Sequence, residues 1–214
     1  MSEYLDIIGK GGPLVYPIFI ASIIALAVFV ERLLALRRSR VFPEDLARAT
    51  LDMLSQDDHD AALRLARRNA NPLGHLIVSA LEFREKGRGA VKERMEEVGS
   101  LEIAALGRYV GVLSTIATVT PLLGLLGTVT GMVKVFQSVA SIDNPEISQL
   151  AGGIWEALLT TVAGLAVAIP AFLAFRYLES RLDRTADTLQ EYGLVVLDHL
   201  YPAQKQPPSG GAGS

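Results

Sequence analysis

The chain has 214 residues, 50% of them hydrophobic, with a formal net charge of -3 and a mean hydropathy of +0.33. That balance is too apolar for a soluble domain, and no basic patch interleaved with aromatics is present to bind nucleic acid. The absence of cysteine excludes a disulfide framework, a thiolate metal site and a cysteine nucleophile.

Met1 to Gly12 is a short, weakly polar lead-in in which Tyr4, Leu5, Ile7 and Ile8 suggest an interfacial turn. Leu14 to Val30 carries no charge and approaches the ~20 apolar residues that cross a bilayer core. A signal peptide is the competing reading. The start lacks a basic region, and Glu31-Arg32 stands where a small-residue cleavage site would be, so the segment is read as a retained span. Arg32, Arg37, Arg38 and Arg40 crowd its far side, which the positive-inside rule makes cytoplasmic.

From Val41 to Arg108 the composition becomes that of soluble amphipathic helices. A helix starting near Pro43 repeats Leu46, Ala49, Thr50, Met53 and Leu54 at three and four. Asp57 and Asp58 offer an N-cap for a second helix through Ala61, Ala62 and Leu65, which Asn71-Pro72 is expected to end. Leu73, Leu76, Ile77, Ala80 and Leu81 form a third stripe, broken by Gly87-Arg88-Gly89. Beyond it, Val91, Met95, Val98 and Glu102 meet no breaker other than Gly99 and Gly107, so the pattern predicts one long helix entering the bilayer.

Tyr109 to Val133 and Ala151 to Phe175 are again membrane-length, and only Glu156 interrupts the second with a charge. The first carries Thr120, Gly124, Gly127, Thr128 and Gly131 at helical spacing. The second carries Glu156, Thr160, Thr161, Ala163, Gly164, Ala168 and Pro170. Hydroxyls and a carboxyl in hydrocarbon need partners, and small residues mark faces that other helices approach closely. Both faces therefore address protein or water. The intervening turn, 137–149, holds Asp143 and Glu146, whereas Arg176, Arg181 and Arg184 follow the third span. All junctions agree on an outer N-terminus and a cytoplasmic C-terminus. The resulting organisation is a periplasmic segment 1–12, spans at 13–31, 109–136 and 150–176, a cytoplasmic helical loop 32–108 and a periplasmic turn 137–149. Leu178, Leu182, Ala186, Leu189 and Val196 continue a charged cytoplasmic helix over 177–203, and the Pro/Gly/Ser-rich tail 204–214 is expected to be disordered.

Each polar feature also has a plain structural reading. The glycines serve helix packing, and Thr160 and Thr161 can return their hydroxyls to the preceding turn. Glu156 differs in kind, because a charge within a span costs ~2.5–3.5 kcal/mol on insertion scales and is a functional hypothesis by default. Its plain alternative is a shallow position at the outer end, beside Trp155 as an interfacial anchor. Pro121 and Pro170 can kink their spans. His59, His75 and His199 have no ligand-like spacing, so neither metal nor cofactor is expected. Gly124 to Gly131 lies within a span, which removes a phosphate-loop reading. No catalytic constellation suggests an enzyme.

The sequences Thr120-Pro-Leu-Leu-Gly-Leu-Leu-Gly-Thr-Val-Thr-Gly-Met132 and Ala151-Gly-Gly-Ile-Trp-Glu-Ala-Leu-Leu-Thr-Thr-Val-Ala-Gly164, followed by Ala168-Ile-Pro-Ala171, resemble the MotA/TolQ/ExbB proton channel family, in its ExbB/TolQ branch. Glu31-Arg32-Leu33 adds to the likeness. The resemblance implies an all-α integral membrane protein with three transmembrane helices and long cytoplasmic helical extensions, assembled as a homopentamer around a central pore. It also implies two copies of an ExbD- or TolR-like single-span partner and a TonB- or TolA-like transducer, in a bacterial inner membrane. Carried over by position, Thr128, Thr161 and Glu156 would line the proton pathway, while Gly124, Gly127, Gly131, Gly164 and Pro170 would form the packing and pore face. The alternatives are a passive oligomeric membrane scaffold and a small transporter, the latter lacking the internal repeat it would need.

Overall fold

A computed structural model describes residues 12–141 and 147–202. The interfacial turn at Tyr4 to Ile8, the acidic residues Asp143 to Glu146 and the tail from Gln204 lie outside the described residues. Among those described, the regular structure is helical: α1 (Val15–Ala35), α2 (Arg38–Val41), α3 (Glu44–Ser55), α4 (His59–Arg67), α5 (Pro72–Glu82), a 3₁₀ turn (Arg84–Lys86), α6 (Arg88–Gly107), α7 (Val110–Ser141) and α8 (Ile147–Leu200). Three helices, α1, α7 and α8, are long and apolar enough to cross a membrane.

The chain divides into two compact units. One comprises the described residues up to Leu34 and those from Gly107 to Ser180; the other comprises Ala35 to Leu106 and those from Arg181 onward. In the first, apolar side chains such as Ile20, Leu26, Leu125, Val162 and Leu173 stay exposed on the helices. A lipid environment tolerates this because the helical backbone satisfies its own hydrogen bonds.

The second unit has an ordinary hydrophobic core. Leu46, Thr50 and Leu54 of α3 share one helical face and bury against Ala62, Ala66, Leu73, Ile77 and Leu81. Local chemistry sets the helix starts. Asp58 accepts a hydrogen bond from the Ala61 amide at 2.9 Å, and Asn71 accepts one from the Gly74 amide at 2.8 Å with Pro72 at the first helical position. Asn71-Pro72 thus starts α5, whereas α4 has already stopped at Arg67. Here the capping side chain outweighs proline's reputation as a terminator. Leu189, Tyr192, Val196 and Leu197, from the far end of α8, complete this core. The Tyr192 hydroxyl donates to the Ala47 carbonyl at 3.0 Å, and its ring meets Phe42 edge-on at 5.4 Å.

The expected single helix from Val91 into the bilayer is not found. α6 ends at Gly107 and α7 begins at Val110, with Tyr109 in the left-handed region at φ 72°. A bulky residue holds that conformation only when its surroundings compensate the strain. The guanidinium carbons of Arg108 and Arg32 lie 5.0 and 5.5 Å from the centre of its ring.

Candidate functional site

α7 and α8 run antiparallel and touch through small residues. On α7 the contact face is Thr120, Gly124, Gly127, Gly131 and Val135, which recur at three and four and are all buried. A β-carbon added to Gly131 would stand 2.8 Å from that of Ala157, and one on Gly124 would stand 3.0 Å from the Thr161 Cα. One on Gly164 would stand 2.6 Å from the Thr120 carbonyl oxygen. Gly127 faces the Thr160 side chain, and Gly153 faces Val135. Glycine is used along this seam for the closeness that it permits between backbones.

The hydroxyls divide by role. Thr120 donates to the Ile116 carbonyl at 2.8 Å, Thr128 to Leu125 at 2.7 Å and Thr160 to Glu156 at 2.8 Å, each within its own helix. Thr161 instead donates across the seam to the Gly124 carbonyl at 2.9 Å. The family resemblance singles out Thr161 and not Thr160, whereas helical spacing alone does not separate the two.

At roughly 100° per residue, Thr128 on α7 and Thr161 on α8 fall on the same flank of the seam. Glu156, five residues before Thr161, is turned roughly 140° from it and falls on the other flank. On that flank the Lys134 ammonium reaches Glu156 Oε1 at 3.3 Å. Gly12, with φ at 72°, lies so close that any β-carbon there would collide with the Glu156 carboxylate. Farther along, Val167, Pro170 and Ala174 of α8 and Ser22, Ala25 and Phe29 of α1 border an apolar cleft of 590 Å³. Within one chain, then, Thr128 and Thr161 are brought to one edge of the hairpin. Glu156 and Pro170 lie on the edge next to α1.

Lys134 is the residue that sequence reasoning passed over. It has no place in the sequence reading, although a lone cation near the C-terminal end of one span and a lone carboxylate near the start of the next signal a pair in any tight antiparallel hairpin. No group of three or more histidine, aspartate or glutamate side chains suited to a metal occurs among the described residues.

Three membrane-length helices, two of them joined through a small-residue seam and edged with hydroxyls and one ion pair, define a polytopic α-helical membrane protein. The chain belongs to the MotA/TolQ/ExbB proton channel family, which residues 68–191 match. It is similar to a putative biopolymer transport protein ExbB-like 1 from Synechocystis, 33% identical over 211 residues that cover 95% of this chain and 83% of that protein. The biopolymer transport protein ExbB of Salmonella typhimurium is 29% identical over 205 residues, covering 92% of this chain and 83% of its own. The Tol-Pal system protein TolQ of Haemophilus influenzae is 37% identical over 95 residues, 44% of this chain and 40% of that protein. These relatives support the ExbB-like branch that the paired motifs suggested.

Proposed function

We propose that the chain is the channel subunit of an inner-membrane motor that uses the proton motive force to energise TonB- or Tol-dependent work at the outer membrane. In this reading it forms a homopentamer, its second and third spans surround the transmembrane helices of two ExbD- or TolR-like partners, and a TonB- or TolA-like protein carries the motion outward. The observation that carries the reading is the α7–α8 hairpin, whose polar groups line both edges of an otherwise apolar seam. Closed rotational symmetry would set the Glu156 edge of one protomer toward the Thr128 and Thr161 edge of the next and shelter both from lipid.

The test is proton flux in liposomes with and without the partner. Thr128→Val and Thr161→Val remove a hydroxyl at nearly constant volume. Interhelical hydroxyl bonds in membranes average only ~0.6 kcal/mol, so assembly should survive in both variants. Partner-dependent flux is expected to fall by an order of magnitude or more, because no packing contribution that small accounts for it. A passive scaffold would show no partner-dependent flux in the parent protein and normal assembly in both variants.

Orientation has its own test in this cysteine-free chain. Single cysteines at Ser55 and Thr188 should resist an impermeant thiol reagent in intact cells with a permeabilised outer membrane, while one at Asn144 reacts. Labelling at Ser55 from outside would invert the topology.

A further inference from the structure

The reading above uses the carboxylate of the Lys134–Glu156 pair but assigns the lysine no part. A carboxylate inside a channel attracts every cation, not protons alone. A proton adds to a single oxygen lone pair. An alkali-metal ion, by contrast, must exchange most of its hydration shell for protein oxygens grouped on one side. At Glu156 the two carboxylate oxygens, one of them already facing a cation, are such a pair. Gly12 adds backbone at the carboxylate, approaching as closely as only glycine can.

The Lys134 ammonium occupies the place that a metal ion would need. It lies 3.3 Å from Oε1, with the lysine side chain 59% exposed and the glutamate 32% exposed, so within one protomer the pair is open to solvent. We propose that Lys134 is a tethered cation that fills the cation site of Glu156, so that sodium and potassium are shut out while protons still reach the carboxylate. Lys134 is then a specificity-determining residue, a role that rests on Glu156 being part of the ion path.

The experiment uses the full chain with its single-span partner in liposomes, loaded with buffer and exposed to radioactive sodium. Parent protein and Lys134→Arg, which keeps the tethered charge, should take up no more sodium than vesicles without protein. Lys134→Gln, with Lys134→Asn as a second variant should the first misassemble, should raise sodium uptake about tenfold, since the vacated site now accepts the ion. Adding Glu156→Gln to either variant should return uptake to the background. A binding readout without flux accompanies this: sodium should raise the thermal stability of Lys134→Gln in detergent, but not that of the parent or of the double variant.

If the parent moves protons and neither lysine variant responds to sodium in either assay, the tethered-cation role is wrong and the conduit stands. If the parent passes no protons but Lys134→Gln is stabilised by sodium through Glu156, the site is real and the conduit reading fails. Equal sodium uptake by parent and variants would also overturn the role assigned to Lys134.

Discussion

Glu156→Gln should leave an oligomer that still binds its partner and yet loses most proton-driven work, whereas Glu156→Leu should weaken assembly as well. Glutamine keeps the shape and can still accept a hydrogen bond from Lys134. What it leaves is an ammonium without a counter-charge. At mid-bilayer such a group costs ~2.5–3.5 kcal/mol, but the lysine lies toward the C-terminal end of α7 on a long stem that can lift its head to water. The structural loss is therefore small and the loss of a titratable oxygen complete. Leucine removes the acceptor altogether and leaves the Lys134 ammonium with neither counter-charge nor hydrogen-bond partner at position 156. Proton flux and co-purification of the partner, measured side by side, decide the matter. A Gln variant with full flux beside a Leu variant that fails to assemble would make Glu156 a hydrogen-bonding residue and place the relay elsewhere.

Gly164→Val is expected to abolish assembly altogether. Its β-carbon would meet the Thr120 carbonyl oxygen at 2.6 Å and the Gly124 Cα at 3.2 Å, and both are backbone atoms that no rotamer change can withdraw. Overpacking in a tight core costs about 1–3 kcal/mol where side chains can shift, and more where whole helices must separate. Separation would also break the Thr161 bond to Gly124. Gly111→Val and Gly152→Val are the controls, since neither position has an atom within 4 Å of its β-carbon. Both controls should yield oligomer by size-exclusion chromatography in detergent while Gly164→Val yields aggregate or degraded monomer. Normal oligomer from Gly164→Val would mean that α7 and α8 are not held at this distance in the membrane.

The elements that the sequence announced were those whose signal is local. The three- and four-residue repeats of α3 and α5, the Asp58 cap and the lengths of the spans all follow from neighbours within a few turns. The small residues of α7 and α8 likewise declared a close helix contact, though not which faces would meet. What stayed hidden depends on residues far apart in the chain. The left-handed Tyr109 has no local signature, since it is held by Arg32, 77 positions earlier, as well as by Arg108. The bond from Thr161 to Gly124 depends on the register between α7 and α8, which the spacing within α8 alone does not carry. The division of Glu156 from Thr161 was legible all along in their five-residue spacing, and grouping both in one motif obscured it.

The composition of the second unit's core sets a timetable for synthesis. Its early members, from Val41 to Met95, emerge long before Leu189, Tyr192, Val196 and Leu197, which complete it. At translation rates of about 5–20 residues per second, the interval between Met95 and Leu189 is on the order of 5–20 s, during which two membrane spans must also be inserted. Throughout that interval the buried surfaces of Leu76, Met95 and Ala47 lack the helix that covers them, and the Ala47 carbonyl lacks its tyrosine donor. A chain stopped before Leu189 is therefore inserted but unfinished, with an apolar face that chaperones and proteases can recognise. The last turns of α8 therefore tie the two ends of the chain together: only a chain whose third membrane-length helix has been made can close the core of the second unit.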